Sequence, residues 1–216
     1  MTLFKQIDDL QRPLEWRASP SAALEPYVAC YRGLMMPPSL PLNFSQRSSP
    51  SGNVIMYFAF GKGQIYETVN LLQRNEEIRQ RPNQAIILPK NELWGVSLEK
   101  ATDVILVMFK SGMAAPFLNL SISELVHWVD PENIWSRSNF EQLMQLGFAP
   151  PPARVQLIEK ILLSQLAKAR IVVDDTVQHA LRIIENGKGN IDLKLLADHL
   201  NVSGRHLRRQ FQHHVG

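Results

Sequence analysis

Ile191-Asp-Leu-Lys-Leu-Leu-Ala-Asp-His-Leu-Asn-Val-Ser-Gly-Arg-His-Leu-Arg-Arg-Gln-Phe-Gln-His-His-Val-Gly216 holds two short helical periods separated by a turn. Asp192 is placed to cap a helix over Leu193 to Leu200, with Leu193, Leu196, Ala197 and Leu200 as its buried positions. A second helix opens at Gly204 and runs through Phe211 towards His214, with Leu207 and Phe211 on its inner face. Two helices that cross closely need a small residue at the crossing, which Ala197 supplies. They also need a residue that tolerates positive φ at the turn, and asparagine, here Asn201, does so better than other side-chain-bearing residues. Val202 plugs the gap between the helices, and Ser203 caps the second one. The spacing is that of a helix-turn-helix, with Arg205, Arg208, Arg209 and Gln212 projecting together from the outer face of its second helix.

Upstream, Thr176 to Glu185 places Val177, Ala180, Leu181 and Ile184 at helical spacing, and Asn186-Gly187 supplies the stop. The charge balance changes with this segment. Residues 1–175 carry 17 basic and 17 acidic side chains, whereas residues 176–216 carry 6 basic and 3 acidic ones. The formal net charge of +3 therefore resides at the C-terminal end, which has no carboxylate from Ser203 onward and holds five of the six histidines. Such a surface suits a polyanion, because each phosphate neutralised releases counterions; a solvated basic face is the competing reading. Arginine presents paired donors to guanine O6 and N7, so the early turns of the second helix suit base edges. Gln212, His213 and His214, further along, suit phosphate contact.

The first 115 residues read mainly as β structure. Asn53 to Phe60, Ala85 to Leu88 and Asp103 to Phe109 are apolar, β-prone runs ended by Gly61-Lys-Gly63, Pro89 and Lys110-Ser-Gly112. Gln64 to Asn70 and Leu93 to Leu98 are weaker strand candidates, and Met35 to Ser51, with four prolines, is a loop or an edge. Several short strands at this spacing predict a small barrel or sandwich. Short helices follow at Ser121 to Val129 and at Ser138 to Leu146, the latter with Ser138 and Glu141 as a capping box. Pro150-Pro151-Pro152 marks a boundary before a strong helix, Ala153 to Arg170. More than one face of that helix is apolar, so it is buried either between two layers of its own domain or against a second subunit. The predicted organisation is α+β: residues 1–170 as a β-rich domain ending in a long helix, 171–175 as linker, and 176–216 as an all-α segment.

At 45% hydrophobic residues the chain can fill a core. Its apolar runs, such as Val104 to Phe109, are far short of the roughly 20 residues that cross a bilayer. No signal-peptide pattern precedes them, and the single Cys30 cannot form an internal disulfide; both suit a soluble cytoplasmic protein with no membrane partner. An enzyme on a β-barrel is disfavoured, because metal sites of that kind need several histidines with a carboxylate and residues 1–175 hold only His127. Gly61-Lys-Gly63 is too short for a phosphate loop, and Ser111 has no nearby histidine in sequence. Neither a cofactor nor a catalytic residue is expected. If the strand-rich part encloses a small-molecule pocket, Tyr57, Tyr66 and Trp94 are the candidate contacts, with core packing as the alternative for each.

Residues 191–216 closely resemble the first helix-turn-helix of AraC-type (AraC/XylS) transcriptional regulators. The matching marks are Leu196-Ala197, the core Ser203-x-x-His206-Leu207-x-Arg209-x-Phe211, and Val215-Gly216. The resemblance implies a sequence-specific DNA-binding regulator of double-stranded DNA. Arg205, Arg208 and Arg209 match positions facing the major groove, and Ser203 matches the cap. The N-terminal part is similar to sensor domains of one branch of that family, through Pro20 to Tyr31, read as a short opening helix, and through Leu93 to Val129 with Phe109-Lys-Ser-Gly-Met-Ala. This implies a cupin-like β-barrel serving effector sensing or dimerisation, a homodimer, and RNA polymerase as a further partner. The family's DNA-binding unit has two such motifs and the second is absent here, so the chain is expected to bind DNA weakly. The alternative is a ligand-binding or dimerisation module without DNA binding of its own.

Overall fold

The apolar runs at 53–60 and 103–109 lie at the centre of a six-stranded antiparallel sheet. The computed structural model describes residues 14–38, 44–48, 52–69, 77–89, 93–124, 128–130 and 135–216. Ten strands, β1 Leu14–Ala18, β2 Val28–Met35, β3 Phe44–Ser48, β4 Ile55–Gly61, β5 Ile65–Val69, β6 Glu77–Arg81, β7 Gln84–Ile87, β8 Trp94–Leu98, β9 Thr102–Phe109 and β10 Trp128–Val129, form two sheets. Their orders are β1-β2-β9-β4-β7-β10 and β3-β8-β5-β6, with every pairing antiparallel. Among the described residues six α-helices complete the fold, the first of them before β10: α1 Ala115–Leu118, α2 Arg137–Met144, α3 Pro151–Leu166, α4 Asp175–Asn186, α5 Leu193–His199 and α6 Gly204–His214.

The central strands are apolar almost throughout because both faces of their sheet are covered. On one face Met56, Phe58, Ile105, Val107 and Phe109 pack under Phe117 and Leu118 of α1, Leu143 of α2 and Ile158, Ile161 and Leu162 of α3. On the other, Tyr57, Ala59 and Val104 meet Ile65 and Leu98 of the four-stranded sheet. Successive side chains point to opposite faces, so a strand buried on both sides loses the alternating pattern and reads as a continuous run. Arg154 anchors α3 to this framework. Its guanidinium donates from Nε to the Ala149 carbonyl (2.7 Å), pairs with Asp103 at the start of β9 (2.6 Å) and lies 5.3 Å from the Phe60 ring centroid.

The expected α+β class holds, but several expectations are corrected. The strand pairing does not close a barrel among the described residues; the two sheets face each other as a sandwich. Residues 22–27 form turns, not a helix, and the chain then enters β2. The helix expected over Ser121 to Val129 is a single 3-10 turn, Ile122–Glu124, followed by β10, whose Trp128 and Val129 pair with Ile87 and Ile86 of β7. An open sheet edge offered backbone partners that outweighed helical spacing. The second helix is capped by Ser136, which accepts from the Asn139 N–H, and Ser138 lies inside it. The helix read as Ala153 to Arg170 spans Pro151–Leu166, and both its apolar stripes face its own domain; Ile161 and Leu162 are 1% and 0% exposed, leaving Leu163 at 38%. The feature that suggested a second subunit on this helix is therefore satisfied within the chain. His127, like residues 70–76, lies outside the described residues.

Candidate nucleic-acid interface and ligand cavity

The C-terminal helices form their own small core, with Ala180, Leu196, Ala197 and Leu207 buried and Ile184, Leu200, Val202 and Phe211 packed around them. Asp192 caps α5, its carboxylate accepting from the N–H groups of Lys194 and Leu195 (2.7 and 3.0 Å). Asn201 sits at φ 53°, the left-handed conformation that the turn demands. Ser203 Oγ accepts from the His206 N–H at 3.1 Å and starts α6. Arg205, Arg208, Arg209 and Gln212 are all exposed on α6, so the structure brings these candidates onto one solvent-facing surface. The Arg209 guanidinium also meets His206 Nδ1 at 3.2 Å, which orients it along the helix. His199 of α5 is exposed, and its ring lies edge-on to that of His179 at 6.0 Å.

The expectation that His214, near the end of α6, faces phosphate is corrected. His214 is 5% exposed, and Val215 lies against Gly52 and Gly112 of the β-rich part. The Ser121 hydroxyl donates to the His213 carbonyl at 3.1 Å. Gly112 has φ 72°, and a Cβ there would come within 2.9 Å of Leu181 Cδ1 on α4, so this position serves both the turn and the close approach of α4. The helical unit is thus seated on the Lys110–Gly112 turn, the direct continuation of β9. The one partial sequence signal for this seat is the apolar Val215 that closes the histidine-rich end of the helix.

Between the sheets lies a cavity of about 140 Å³. Alternate residues line it: Ile55 and Tyr57 on β4, Val104, Leu106 and Met108 on β9, and Trp94, Val96 and Leu98 on β8. Of the three candidate contacts, Tyr57 and Trp94 face it. Tyr66 points to the other side of β5, where its hydroxyl donates to Glu99 at 3.1 Å. The residues missed are charged. Glu67 and Arg81 form an ion pair in the cavity wall, with side chains 3% and 5% exposed. Sequence alternation could have found Glu67, because Ile65 and Val69 flank it on the buried face of β5. The Tyr57 hydroxyl donates to the Pro82 carbonyl at 2.8 Å, and burial pushes its pKa well up, so it stays protonated. Burial also holds Arg81 below the usual guanidinium range. Among the described residues no three His, Cys, Asp or Glu side chains cluster for a metal, and no helix is long and apolar enough to cross a membrane.

A two-sheet sandwich holding a cavity, with a capped three-helix unit seated on it, is the class of protein that this geometry defines. The chain belongs to the family described as Domain of unknown function (DUF6597), whose model matches residues 17–129. No curated protein is significantly similar to it. Among solved structures it is similar to the AraC-like transcriptional activator CuxR, at 12% identity and TM-score 0.36, covering 92% of this chain and 80% of that one. It is also similar to ToxT from Vibrio cholerae, at 8% identity and TM-score 0.39, covering 80% and 75%. A third is 2-hydroxyethylphosphonate dioxygenase, at 16% identity and TM-score 0.29, covering 94% and 47%. At such scores the likeness bears on neither activity nor partner.

Proposed function

We propose that the chain is a DNA-binding transcriptional regulator of AraC type in which α6 enters the major groove and the cavity between the sheets holds a small-molecule effector. The observation that carries this reading is the exposed row of Arg205, Arg208, Arg209 and Gln212 on a helix that follows a positive-φ asparagine and a serine cap. A helix presented in this way offers its first turns to base edges and its later residues to phosphates. A route from effector to DNA is supported by β9, which lines the cavity through Val104, Leu106 and Met108 and then runs into the Lys110–Gly112 turn beneath α4 and α6. A homodimer and RNA polymerase as partners belong to the same reading.

The test is a titration of the full 216-residue chain, and of its Arg205→Ala, Arg208→Ala and Arg209→Ala variants, against the DNA upstream of its own gene and against scrambled DNA. One helix per chain should give weak binding, about 10⁻⁴ to 10⁻⁶ M at physiological salt. An arginine on a base should cost about 1–3 kcal/mol at one base position; an arginine on a phosphate should weaken all sequences and lower the salt slope by about 1. All three variants binding like the parent would overturn the assignment. No binding by the parent would favour a ligand-binding or dimerisation module instead.

A further inference from the structure

An ion pair withdrawn from water is a poor way to stabilise a fold, because apolar residues of similar volume do at least as well. Glu67 and Arg81 nonetheless form such a pair, and they do so in the wall of a cavity whose other lining, apart from Arg32, Gln46 and Ser48, is apolar or aromatic. Three further charged groups lie near it. Arg32 lines the rim and is met by Glu15 at 3.6 Å, and Asp130 acts on the Tyr57 hydroxyl against Arg81. At the deepest charged position on the cavity wall, one guanidinium and one carboxylate therefore face each other.

This arrangement selects against ligand charge. An ionised carboxylate could meet Arg81 only by lying beside Glu67, and an ammonium could meet Glu67 only by lying beside Arg81; beside side chains this far withdrawn from water each like-charge approach is penalised. A group that donates to Glu67 and accepts from Arg81 satisfies both. Size narrows the class further, since a cavity of about 150 Å³ accommodates a benzene ring. Taking the cavity as the effector site, as proposed above, we propose that it binds an uncharged, single-ring aromatic molecule with one hydroxyl or carboxamide group, that group lying against the Glu67–Arg81 pair and the ring against Trp94 and Leu98.

Three probes of one shape test this: para-toluamide, para-toluate and para-methylbenzylamine, titrated calorimetrically into the full chain at neutral pH, with intermolecular NOEs to the Val96 and Leu98 methyls reporting where each binds. The amide should bind with NOEs to those methyls, and the two ions at least about tenfold more weakly. In Glu67→Gln, where Arg81 is no longer opposed by a carboxylate, the toluate should gain on the amide by about tenfold; an unchanged order would overturn the placing of the polar group. A parent chain that binds an ion as tightly as the amide at the same methyls would overturn the ligand class while leaving the effector cavity standing. Absence of binding by all three, or NOEs only to residues elsewhere, would overturn the cavity reading itself.

Discussion

The Gln210 side-chain amide donates to Asp174 Oδ2 at 3.0 Å, while Asp174 Oδ1 accepts from the Val177 N–H at 3.1 Å. One carboxylate therefore caps α4 and fastens the middle of α6 to it. Asp174→Ala should cost about 0.5–2 kcal/mol through the lost cap. It should also raise hydrogen exchange over residues 204–216, whereas Asp174→Asn, which can still cap, should cost only a fraction of that. Gln210→Ala separates the two roles: exchange should rise in α6 with α4 unaffected. Equal protection of α6 in parent and Asp174→Ala would show that the Gln210 bond does not hold the helix.

A pH dependence should follow from His214. Burial, and then the neighbouring His213, hold its pKa below the ordinary imidazole value, with Asp174 at the head of α4 partly opposing them. Its Nδ1 is buried without a hydrogen-bond partner, as a neutral ring tolerates and an imidazolium does not. Above the ordinary value of about 6.5 the ring is neutral whether α6 is seated or not, and the seating is at full strength. As pH falls below that value the released form takes up a proton before the seated form does, so the seating weakens. Protection of residues 207–216 should drop between about pH 7.5 and about pH 5.5 while that of β4 and β9 holds. His214→Leu should flatten the response, and a parent chain whose α6 protection ignores pH would refute the role given to this ring.

The C-terminal unit was the most legible part of the chain, because its determinants are local. Asp192, Ala197, Asn201 and Ser203 act within a few residues of where they stand, and all four occupy the places their chemistry predicts. The central strands were legible as strands, since runs such as 103–109 have few other uses, but not in their arrangement. Whether the sheets close into a barrel depends on pairings between residues far apart in sequence, such as Phe44 with Leu98, and no local pattern encodes that. Trp128 and Val129 misled for the same reason: they follow helical spacing, and a distant strand edge captures them. The Glu67–Arg81 pair was missed because each charge taken alone reads as a surface residue; only their meeting makes burial tolerable.

That pair should show a large asymmetry between breaking it and replacing it. Glu67→Ala removes the carboxylate that faces the buried Arg81 guanidinium and should cost about 3–5 kcal/mol, read by chemical denaturation. The double variant Glu67→Met with Arg81→Met removes both desolvation penalties and should lie within about 1–2 kcal/mol of the parent, or above it. If the pair is there for a ligand, the double variant should also lose the preference for an uncharged probe while keeping the fold. A double variant as unstable as the single would mean that the pair itself holds the two sheets in register.

Adjacent leucines on α3 separate the two ways of covering its second apolar stripe. Leu162 is fully buried against the sheet, among Ile158 and Ile161, whereas Leu163 is 38% exposed. Leu162→Lys puts an ammonium into a core with no described acidic partner among those neighbours, and a substitution that buries an unpaired charge stands among the most damaging. It should lower the thermal midpoint sharply or abolish folding. Leu163→Lys places its charge in solvent and should change stability by no more than about 0.5 kcal/mol. Sedimentation of this second variant then answers the question of assembly without the ambiguity of misfolding. Unchanged mass relative to the parent at matched concentration is the expected result, because the helix is already covered by its own domain. A parent dimer that Leu163→Lys dissociates would place a subunit contact on this face, the second of the two roles that the sequence of α3 left open.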